Sequence, residues 1–366
     1  MEETTVNLRI PGPTPVPPAV LAAMSRQMIN HRGPEFRALL ENVASGLKWV
    51  FGTAGDIMIF PAASTGAMEA AVVNALSPGD RVLAVSIGNF GDRFARIASA
   101  FGADVVKLDF PWGQAADPAV NAERLDADPS IRAVLVTHNE SSTGVTNDVQ
   151  AVGDVVRRTP ALLIVDAVSS LAALPLPADE WGLDMVVAGS QKALMIPPGL
   201  AFVAVGPRAW QAYAKARMPR HYWDFLAVKK AYEKGQTPYT PAISLLYALA
   251  ESLRMIQEEG LQAVYNRHRA IGSATRRGVQ DLGLQLFAEP GHPSDTVTAV
   301  RVPDGMDGKE LIARLRSEHR VVVAGGQGPL EGKIFRIGHM GWVQWSEIED
   351  ALASLAAVLS SARTNA

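Results

Sequence analysis

A lysine follows an apolar run in the middle of the chain. Residues 185–188 and 200–205 are aliphatic and β-branched and predict two buried strands, and a Gly-Ser-Gln-Lys sequence ending at Lys192 lies between them. An unpaired ammonium group is costly to bury, so Lys192 either reaches solvent or has lost its charge through chemistry such as Schiff-base formation. The small residues before it and the Pro-Pro-Gly turn after it predict a crowded pocket, which favours the second interpretation.

Two other charged residues lie on apolar runs. Asp166 ends the run 162–165 and is either a helix N-cap or an anion placed for a ligand. Arg336 lies within the run 334–337, where a buried guanidinium group needs an anionic partner. From the residues alone, the N-cap is the commoner interpretation of such an aspartate.

Polar or aromatic residues follow three of the apolar runs. Ser64, Thr65 and Gly66 precede a predicted helix, whose free N–H groups could bind a phosphate, although either hydroxyl could instead be the N-cap. Phe90 lies between two glycines and is suited to stack on a flat ligand. The segment 137–144, Thr-His-Asn-Glu-Ser-Ser-Thr-Gly, is too polar for a simple turn. Its histidine and glutamate could be a metal or acid–base pair but lack a third member nearby, so we expect a structural role for them.

The order of the elements places these residues at one edge of a sheet. Seven apolar runs alternate with helical stretches, at 57–60, 81–86, 104–108, 133–137, 162–165, 185–188 and 200–205. This pattern predicts an α/β fold with a mostly parallel seven-stranded sheet covered on both faces, and ligands beyond the carboxyl ends of its strands. The last third predicts a smaller βαβ-like domain with strands at 285–288, 297–302, 320–323 and 334–337 and helices at 307–318 and from 346.

We expect three parts along the chain. Residues 1–20 form an N-terminal arm, because their prolines exclude a helix or a central strand. Residues 21–245 form the large domain, and residues 246–366 form the small C-terminal domain.

Composition excludes several classes of protein. The 366 residues carry a net charge of −3 without a long run of one sign, which argues against nucleic acid or an anionic membrane as a partner. The chain has no cysteine, which excludes disulfides, thiolate-bound zinc and a cysteine nucleophile. It shows no secretory signal and no apolar run long enough for a bilayer, so we expect a soluble, cytoplasmic protein without a metal site.

The lysine segment and the segment 137–144 resemble those of the class V aminotransferases, which are pyridoxal-phosphate enzymes of fold type I. The resemblance is greatest to the alanine–glyoxylate and serine–pyruvate branch, and the matching motifs run in family order from Gly12 to Arg336. It implies pyridoxal 5′-phosphate as the cofactor, held by Lys192 as a Schiff base, with Asp166 paired to the pyridinium nitrogen. Phenylalanine at position 90 departs from the tryptophan that is frequent in the family.

The resemblance also assigns the remaining contacts. The cofactor contacts that it implies, besides Lys192 and Asp166, are Ser64, Thr65, Gly66, Phe90, Ser141, Thr143, Val168, Gln191 and, from the neighbouring subunit of a homodimer with shared active sites, Thr240. The substrate carboxylate would contact Gly12, Ser141 and Arg336, with a bidentate pair to the arginine.

The reaction implied is transamination of a small amino acid, alanine or serine, with glyoxylate or pyruvate as the 2-oxo acid acceptor, in ping-pong order. Two other class V outcomes share the lysine and the aspartate: pyridoxamine–pyruvate transamination and a lyase reaction. A nicotinamide enzyme is disfavoured because no GxGxxG sequence follows the first strand. A non-catalytic dimeric binding protein is the last alternative.

Overall fold

The helices and strands are described over residues 6–364 of a computed structural model. The first elements are β1 (Asn7–Arg9), α1 (Pro18–Met24), α2 (Pro34–Phe51), β2 (Asp56–Phe60), α3 (Ser64–Ala75), β3 (Arg81–Ser86), α4 (Asn89–Ala100), β4 (Asp104–Asp109), α5 (Pro118–Ala127) and β5 (Ile131–Thr137). The middle of the chain forms β6 (Asn139–Glu140), β7 (Val145–Thr146), α6 (Val149–Val156), β8 (Leu162–Asp166), β9 (Met185–Gly189), β10 (Ala201–Val205), α7 (Pro207–Tyr213) and α8 (Phe225–Tyr232). The last elements are α9 (Ile243–Glu259), α10 (Leu261–Asp281), β11 (Val297–Arg301), α11 (Gly308–His319), β12 (Val321–Gly325), a 3₁₀ turn at Gly328–Leu330, β13 (Ile334–Gly338) and α12 (Trp345–Thr364).

The larger sheet has seven strands in the order β2-β10-β9-β8-β5-β3-β4. Only β10 runs antiparallel to its neighbours, and the other strands are parallel. Every strand begins and ends within two residues of its predicted bounds. The predicted mostly parallel seven-stranded α/β fold is therefore confirmed.

Alternate residues of these strands enter two different apolar clusters, which explains why the runs are apolar throughout. In β8, Leu163 and Val165 join one cluster, whereas Leu162 and Ile164 join the other. The first cluster includes side chains of α2, α6 and α9, and the second includes side chains of α3, α4 and α8. A strand covered on both faces needs apolar side chains at every position.

The smaller sheet has four strands in the order β1-β12-β13-β11. Strand β1 pairs in parallel with β12, and the other two pairings are antiparallel. The prediction missed β1, because the prolines that exclude regular structure begin only after it, at Pro11. The segment 285–288, predicted as a strand, makes only a single bridge between Leu286 and Val300.

The expected division of the chain at residues 245 and 246 stays a prediction. Leu246, Leu249 and Leu253 of α9 pack into a cluster of the large sheet, whereas the small sheet has its own cluster with Phe335 and Leu355. We therefore propose that the boundary lies within α10 and that β1 belongs to the small domain. Within residues 6–364, no helix combines the length and apolar character needed to cross a bilayer.

Candidate active site

The predicted functional residues meet at the carboxyl edge of the large sheet. Strands β5, β8 and β9 are adjacent and parallel, and they end at Thr137, Asp166 and Gly189. Lys192 follows β9 by three residues, and the polar segment 137–144 begins at the end of β5. Parallel strands bring their carboxyl ends together, so the polar residues after each strand share one site.

Lys192 is buried, with only 9% of its surface exposed. Its Nζ donates a hydrogen bond to the Pro11 carbonyl oxygen. Burial, with the charge of Arg336 adding to it and that of Asp166 opposing it, lowers the pKa of Lys192 to about 8. A much larger fraction of this amine is therefore neutral near pH 7 than of a solvated lysine, and a neutral amine is nucleophilic.

Asp166 is buried at the end of β8 and accepts a hydrogen bond from the backbone N–H of Val168 at 2.9 Å. No helix begins after it, since β9 is the next element, so the N-cap interpretation is wrong. Burial, reinforced by the charge of Glu140, raises the pKa of Asp166 to about 6. The carboxyl group is thus still mostly ionised at pH 7 and can pair with a cationic ring nitrogen.

The N-terminal arm crosses directly over Lys192. Gly12 has φ +127°, and a Cβ atom there would lie 2.7 Å from Lys192 Nζ, so only glycine allows this approach. Thr14 fastens the arm, because its N–H donates to the Gln191 carbonyl at 3.1 Å and its hydroxyl to the Lys192 carbonyl at 3.0 Å. The family resemblance implied a substrate contact at Gly12, and the sequence carried no signal for the contacts of Pro11 and Thr14.

The first turn of α3 has no side-chain cap. Its N-cap is Ala63, so neither Ser64 nor Thr65 is the cap. The Ser64 hydroxyl instead accepts a hydrogen bond from Gln191 Nε2 at 3.1 Å, while a Cβ on Gly189 would lie 1.8 Å from that hydroxyl oxygen. The start of α3 therefore lies against the lysine segment, with backbone N–H groups that suit an anion.

The other face of that turn meets an aromatic side chain. A Cβ on Gly66 would lie 2.6 Å from the Trp223 ring, which shows how closely the indole approaches α3. Trp223 also contacts Phe60 edge-on, with ring centroids 5.2 Å apart. Trp223 forms these contacts with residues distant in the chain, so the sequence carries no signal for them.

Glu140 holds the start of α4, where Phe90 lies. This carboxylate is fully buried and accepts hydrogen bonds from the backbone N–H groups of Phe90 (2.9 Å), Gly91 (3.1 Å) and Ser142 (3.1 Å), and from the Ser142 hydroxyl (2.6 Å). The guanidinium carbon of Arg93, a residue the sequence did not single out, lies 4.8 Å from the centre of the Phe90 ring.

His138 packs edge-on against Trp181, and its Nδ1 has no hydrogen-bond partner among residues 6–364. Burial lowers the pKa of His138 to about 4. Within residues 6–364, no group of three or more potential ligands could hold a metal ion. These contacts agree with the structural role expected for both residues of the His138 and Glu140 pair.

Arg336 lies on β13 with 4% of its surface exposed. Its Nε and Nη2 donate to the Gly325 carbonyl at 2.9 and 2.7 Å, and its Nη1 donates to the Ser141 carbonyl at 3.0 Å. Burial lowers the pKa of Arg336 to about 10, so the group is still a cation at neutral pH. Because its bonds go to carbonyls rather than to a carboxylate, the guanidinium group can still pair with an incoming anion.

The structure brings most of the predicted site residues into this one region. Ser141 and Thr143 are buried and Val168 is half-buried beside Asp166. Thr240 is exposed on the segment that precedes α9. Its predicted contact with the cofactor of a second subunit stays a prediction.

The residues present fit the expected cofactor group by group. Pyridoxal phosphate has an aldehyde, a basic ring nitrogen, a flat ring and a phosphate. The chain offers an amine of lowered pKa at Lys192, a buried carboxylate at Asp166, an aromatic ring at Phe90 and the uncapped start of α3. Each group of the cofactor thus has a chemically matched partner.

The sequence model of the family described as Aminotransferase class-V matches residues 6–341 of the chain. A protein of Anabaena cylindrica named "Soluble hydrogenase 42 kDa subunit" is 44% identical over 355 residues, which cover 96% of this chain and 92% of that protein. Serine–glyoxylate aminotransferase of Methylorubrum extorquens is 42% identical over 346 residues, covering 92% and 86%. L-aspartate–glyoxylate aminotransferase of Paracoccus denitrificans is 40% identical over 350 residues, covering 94% and 87%.

Among solved structures, alanine–glyoxylate aminotransferase from Nostoc sp. superposes with a TM-score of 0.94 at 34% identity. The match covers 98% of this chain and 96% of that one. The two chains therefore share one fold over nearly their whole lengths.

Proposed function

Because the chain belongs to the class V aminotransferases, a family of pyridoxal-phosphate enzymes, we propose that it transfers the amino group of serine or alanine to glyoxylate or pyruvate. The chain is an aminotransferase, and the choice of donor and acceptor is the proposal. The observation that carries it is the buried set of three charged side chains, Lys192, Asp166 and Arg336, at one edge of the sheet.

The bound cofactor supplies an electron sink for the negative charge that forms at the substrate Cα. Lys192 Nζ would hold the cofactor covalently, and the same amine, when free, would take up the substrate Cα proton and give it up again. Its pKa of about 8 suits this role, since the same group must accept and release a proton near neutral pH. Asp166, largely ionised at pH 7, keeps the ring nitrogen protonated.

Arg336 binds the substrate α-carboxylate through the N–H groups that its carbonyl partners leave free. Phe90 and Val168 would hold the cofactor ring, and the start of α3 with Ser64, Thr65 and Gly66 would bind its phosphate. Gly12, Ser141, Thr143 and Gln191 complete the proposed contacts. The carboxylate and the ring fix the orientation of the Cα–H bond toward Lys192.

The hydrogen-bond partners of Arg336 are backbone carbonyls. These partners supply no positive charge for a second carboxylate of the substrate, which supports a small neutral donor. The relatives named for serine, alanine and aspartate show that donor choice varies among proteins of similar identity to this chain. Arg93, which lies over the Phe90 ring, is a cation that could bind the side-chain carboxylate of a substrate such as aspartate. Aspartate is therefore the informative competitor in a substrate comparison.

The name of the Anabaena cylindrica relative suggests a redox metal centre, which this chain does not suit. Iron–sulfur clusters are held by cysteine thiolates, and the chain contains no cysteine. We therefore do not propose hydrogenase activity. Pyridoxamine–pyruvate transamination and a lyase reaction are the alternatives on the same residues, and the products distinguish them.

The experiment that tests the proposal is a visible absorption titration of the purified protein with pyridoxal phosphate, followed by serine, alanine or aspartate. We expect a yellow band that serine or alanine bleaches, borohydride trapping of the cofactor on Lys192, and parallel double-reciprocal plots when glyoxylate or pyruvate is varied. The Lys192→Ala variant is the control and should give neither trapping nor bleaching. Absence of the yellow band, or bleaching by aspartate alone, would contradict the proposal.

A further inference from the structure

Glu140 is a buried carboxylate that the proposed reaction does not use. It is fully buried, and in residues 6–364 none of its hydrogen bonds comes from a cationic side chain. Burial raises its pKa above the ordinary range of a glutamate, which shows that the charge is costly here. In all four hydrogen bonds, however, the oxygens of Glu140 are the acceptors. The surroundings therefore suit the ionised carboxylate, which can only accept hydrogen bonds.

Two of the four bonds fasten the first turn of α4. The N–H groups of Phe90 and Gly91 both donate to Glu140 Oε2, and α4 has no cap from its own N-cap residue, Gly88. A Cβ on Gly88 would lie 2.5 Å from Glu140 Cγ, so the absence of a side chain there admits the carboxylate. An anion at a helix N-terminus is stabilised by the helix dipole, and in return it fixes the position of that turn. The Phe90 backbone is therefore held by Glu140.

The other two bonds shape the loop that holds Arg336. Glu140 Oε1 accepts the N–H and the hydroxyl of Ser142, and the Ser142 hydroxyl accepts the N–H of Asn89 at 3.0 Å. Ser141, the residue between them, presents its carbonyl to Arg336 Nη1. The same carboxylate thus fixes the backbone on both sides of the carbonyl that orients the guanidinium group.

A second link runs from α4 to the other carbonyl partner of Arg336. Asn89 Nδ2 donates to Gln327 Oε1 at 3.1 Å, and Gln327 lies two residues after Gly325, whose carbonyl accepts two Arg336 donors. The charge of Glu140 also favours the cationic form of Arg336, against the effect of burial. Hydrogen bonds therefore link the start of α4 to the two segments that carry the carbonyl partners of Arg336, one with Ser141 and the other with Gly325.

We propose that Glu140 is a positioning residue that sets Phe90 and Arg336 relative to each other, so that one buried carboxylate aligns the cofactor ring with the substrate carboxylate. The inference rests on the proposed function, in which Phe90 contacts the ring and Arg336 the substrate. Glu140 touches neither ligand and acts through the backbone of α4 and of residues 141–142.

The test is Glu140→Gln, which keeps the shape but replaces one oxygen by an NH₂ group that must face a backbone donor. We expect the Kd for pyridoxal phosphate, from absorption titration of the cofactor-free protein, to rise about tenfold. The serine concentration that half-bleaches the loaded protein should rise by a similar factor. Ser142→Ala, which removes one bond to Glu140, should raise both values about threefold. Exposed Glu123→Gln on α5 is the matched control and should change neither value.

Urea unfolding of the cofactor-free variants separates positioning from stability. The inference is overturned if Glu140→Gln is less stable but binds cofactor and serine as the wild type does. If Glu140→Gln does not fold, the same comparison of stability and binding is made with Ser142→Ala. The proposed function fails separately, because it fails when the wild-type protein itself shows no cofactor band.

Discussion

At the scale of single residues, the site carries charge where the fold would be more stable without it. Lys192 has a pKa of about 8 in the folded protein against 10.5 when solvated. Between these two values the unfolded chain binds more protons, so the stability of the cofactor-free protein rises with pH from 8 to 10.5. Below pH 8 the buried charge costs about 3 kcal/mol, since each pKa unit corresponds to about 1.4 kcal/mol.

Lys192→Met should therefore stabilise the cofactor-free protein. We expect a gain of up to about 3 kcal/mol at pH 7 that falls to about 1 kcal/mol at pH 9.5, measured by urea unfolding at both values. Exposed Lys230→Met on α8 is the control and should have little effect at either pH. An equal gain at both pH values for Lys192→Met would show that the lysine charge is not the cause.

The burial of these charged residues could be predicted because a charge on or beside an apolar run is rare, whereas their roles stay predictions. Lys192, Asp166 and Arg336 were identified in this way, and the structure buries all three. The backbone carbonyls of Pro11 and Gly325, which accept hydrogen bonds from Lys192 and Arg336, could not be predicted as partners. Every residue has a backbone carbonyl, so the sequence does not mark these two. Arg93 was missed because an arginine at the start of a helix resembles ordinary surface charge.

At the scale of elements, the N-terminal arm runs from the small sheet to the active site at the edge of the large one. Strand β1 belongs to the small sheet, whereas Gly12, three residues after its end, lies against Lys192 of the large one. Any side chain at position 12 meets both a positive φ and the lysine amine. The arm therefore limits where Lys192 Nζ can lie.

Gly12→Ala tests this constraint. We expect a loss of stability of about 1–2 kcal/mol from the positive φ, and in addition a rate of covalent attachment of the cofactor about 100-fold slower, because the methyl group displaces Nζ. Gly283→Ala is the matched control, since its φ is +79° and nothing lies within 4 Å of a Cβ there. Stopped-flow absorption gives the rate, and equal rates in the two variants would contradict the proposed role of the arm.

The elements of the large sheet were predictable because each strand is covered on both faces and reads as a continuous apolar run. The small sheet was less predictable for the opposite reason. Strand β1 has three residues and an edge position, and the segment 285–288 has the composition of a strand but makes only one bridge. Whether such a segment forms a strand depends on pairing with residues distant in the chain, and the composition of the segment carries no information about those residues.

At the scale of the whole molecule, we propose a homodimer with shared sites, in which Thr240 of one subunit binds the cofactor phosphate of the other. Thr240→Ala should weaken cofactor binding about tenfold, and Lys192→Ala should abolish covalent attachment. When the two variants are unfolded together and refolded, mixed dimers contain one site with both native residues. We expect borohydride to trap the cofactor in these mixed dimers, and we expect their Kd for the cofactor to equal that of the wild-type protein.

Ultracentrifugation of the mixture supplies the control for assembly. Mixed dimers that bind the cofactor no better than Thr240→Ala alone would place Thr240 outside the neighbouring site. The expected dimer could be read from the resemblance to the family, but the single chain shows only an exposed threonine, because the atoms it would contact belong to another molecule.

The pairing of β1 with β12 has a consequence for synthesis. Residues 7–9 are synthesised long before their partners, residues 321–323. Until then the arm has no strand to pair with, and Gly12 cannot be held over Lys192. A nascent chain can thus complete its large sheet, whose last strand ends at Val205, while its active centre is still open, and the arm can be held over Lys192 only after β12 has been made.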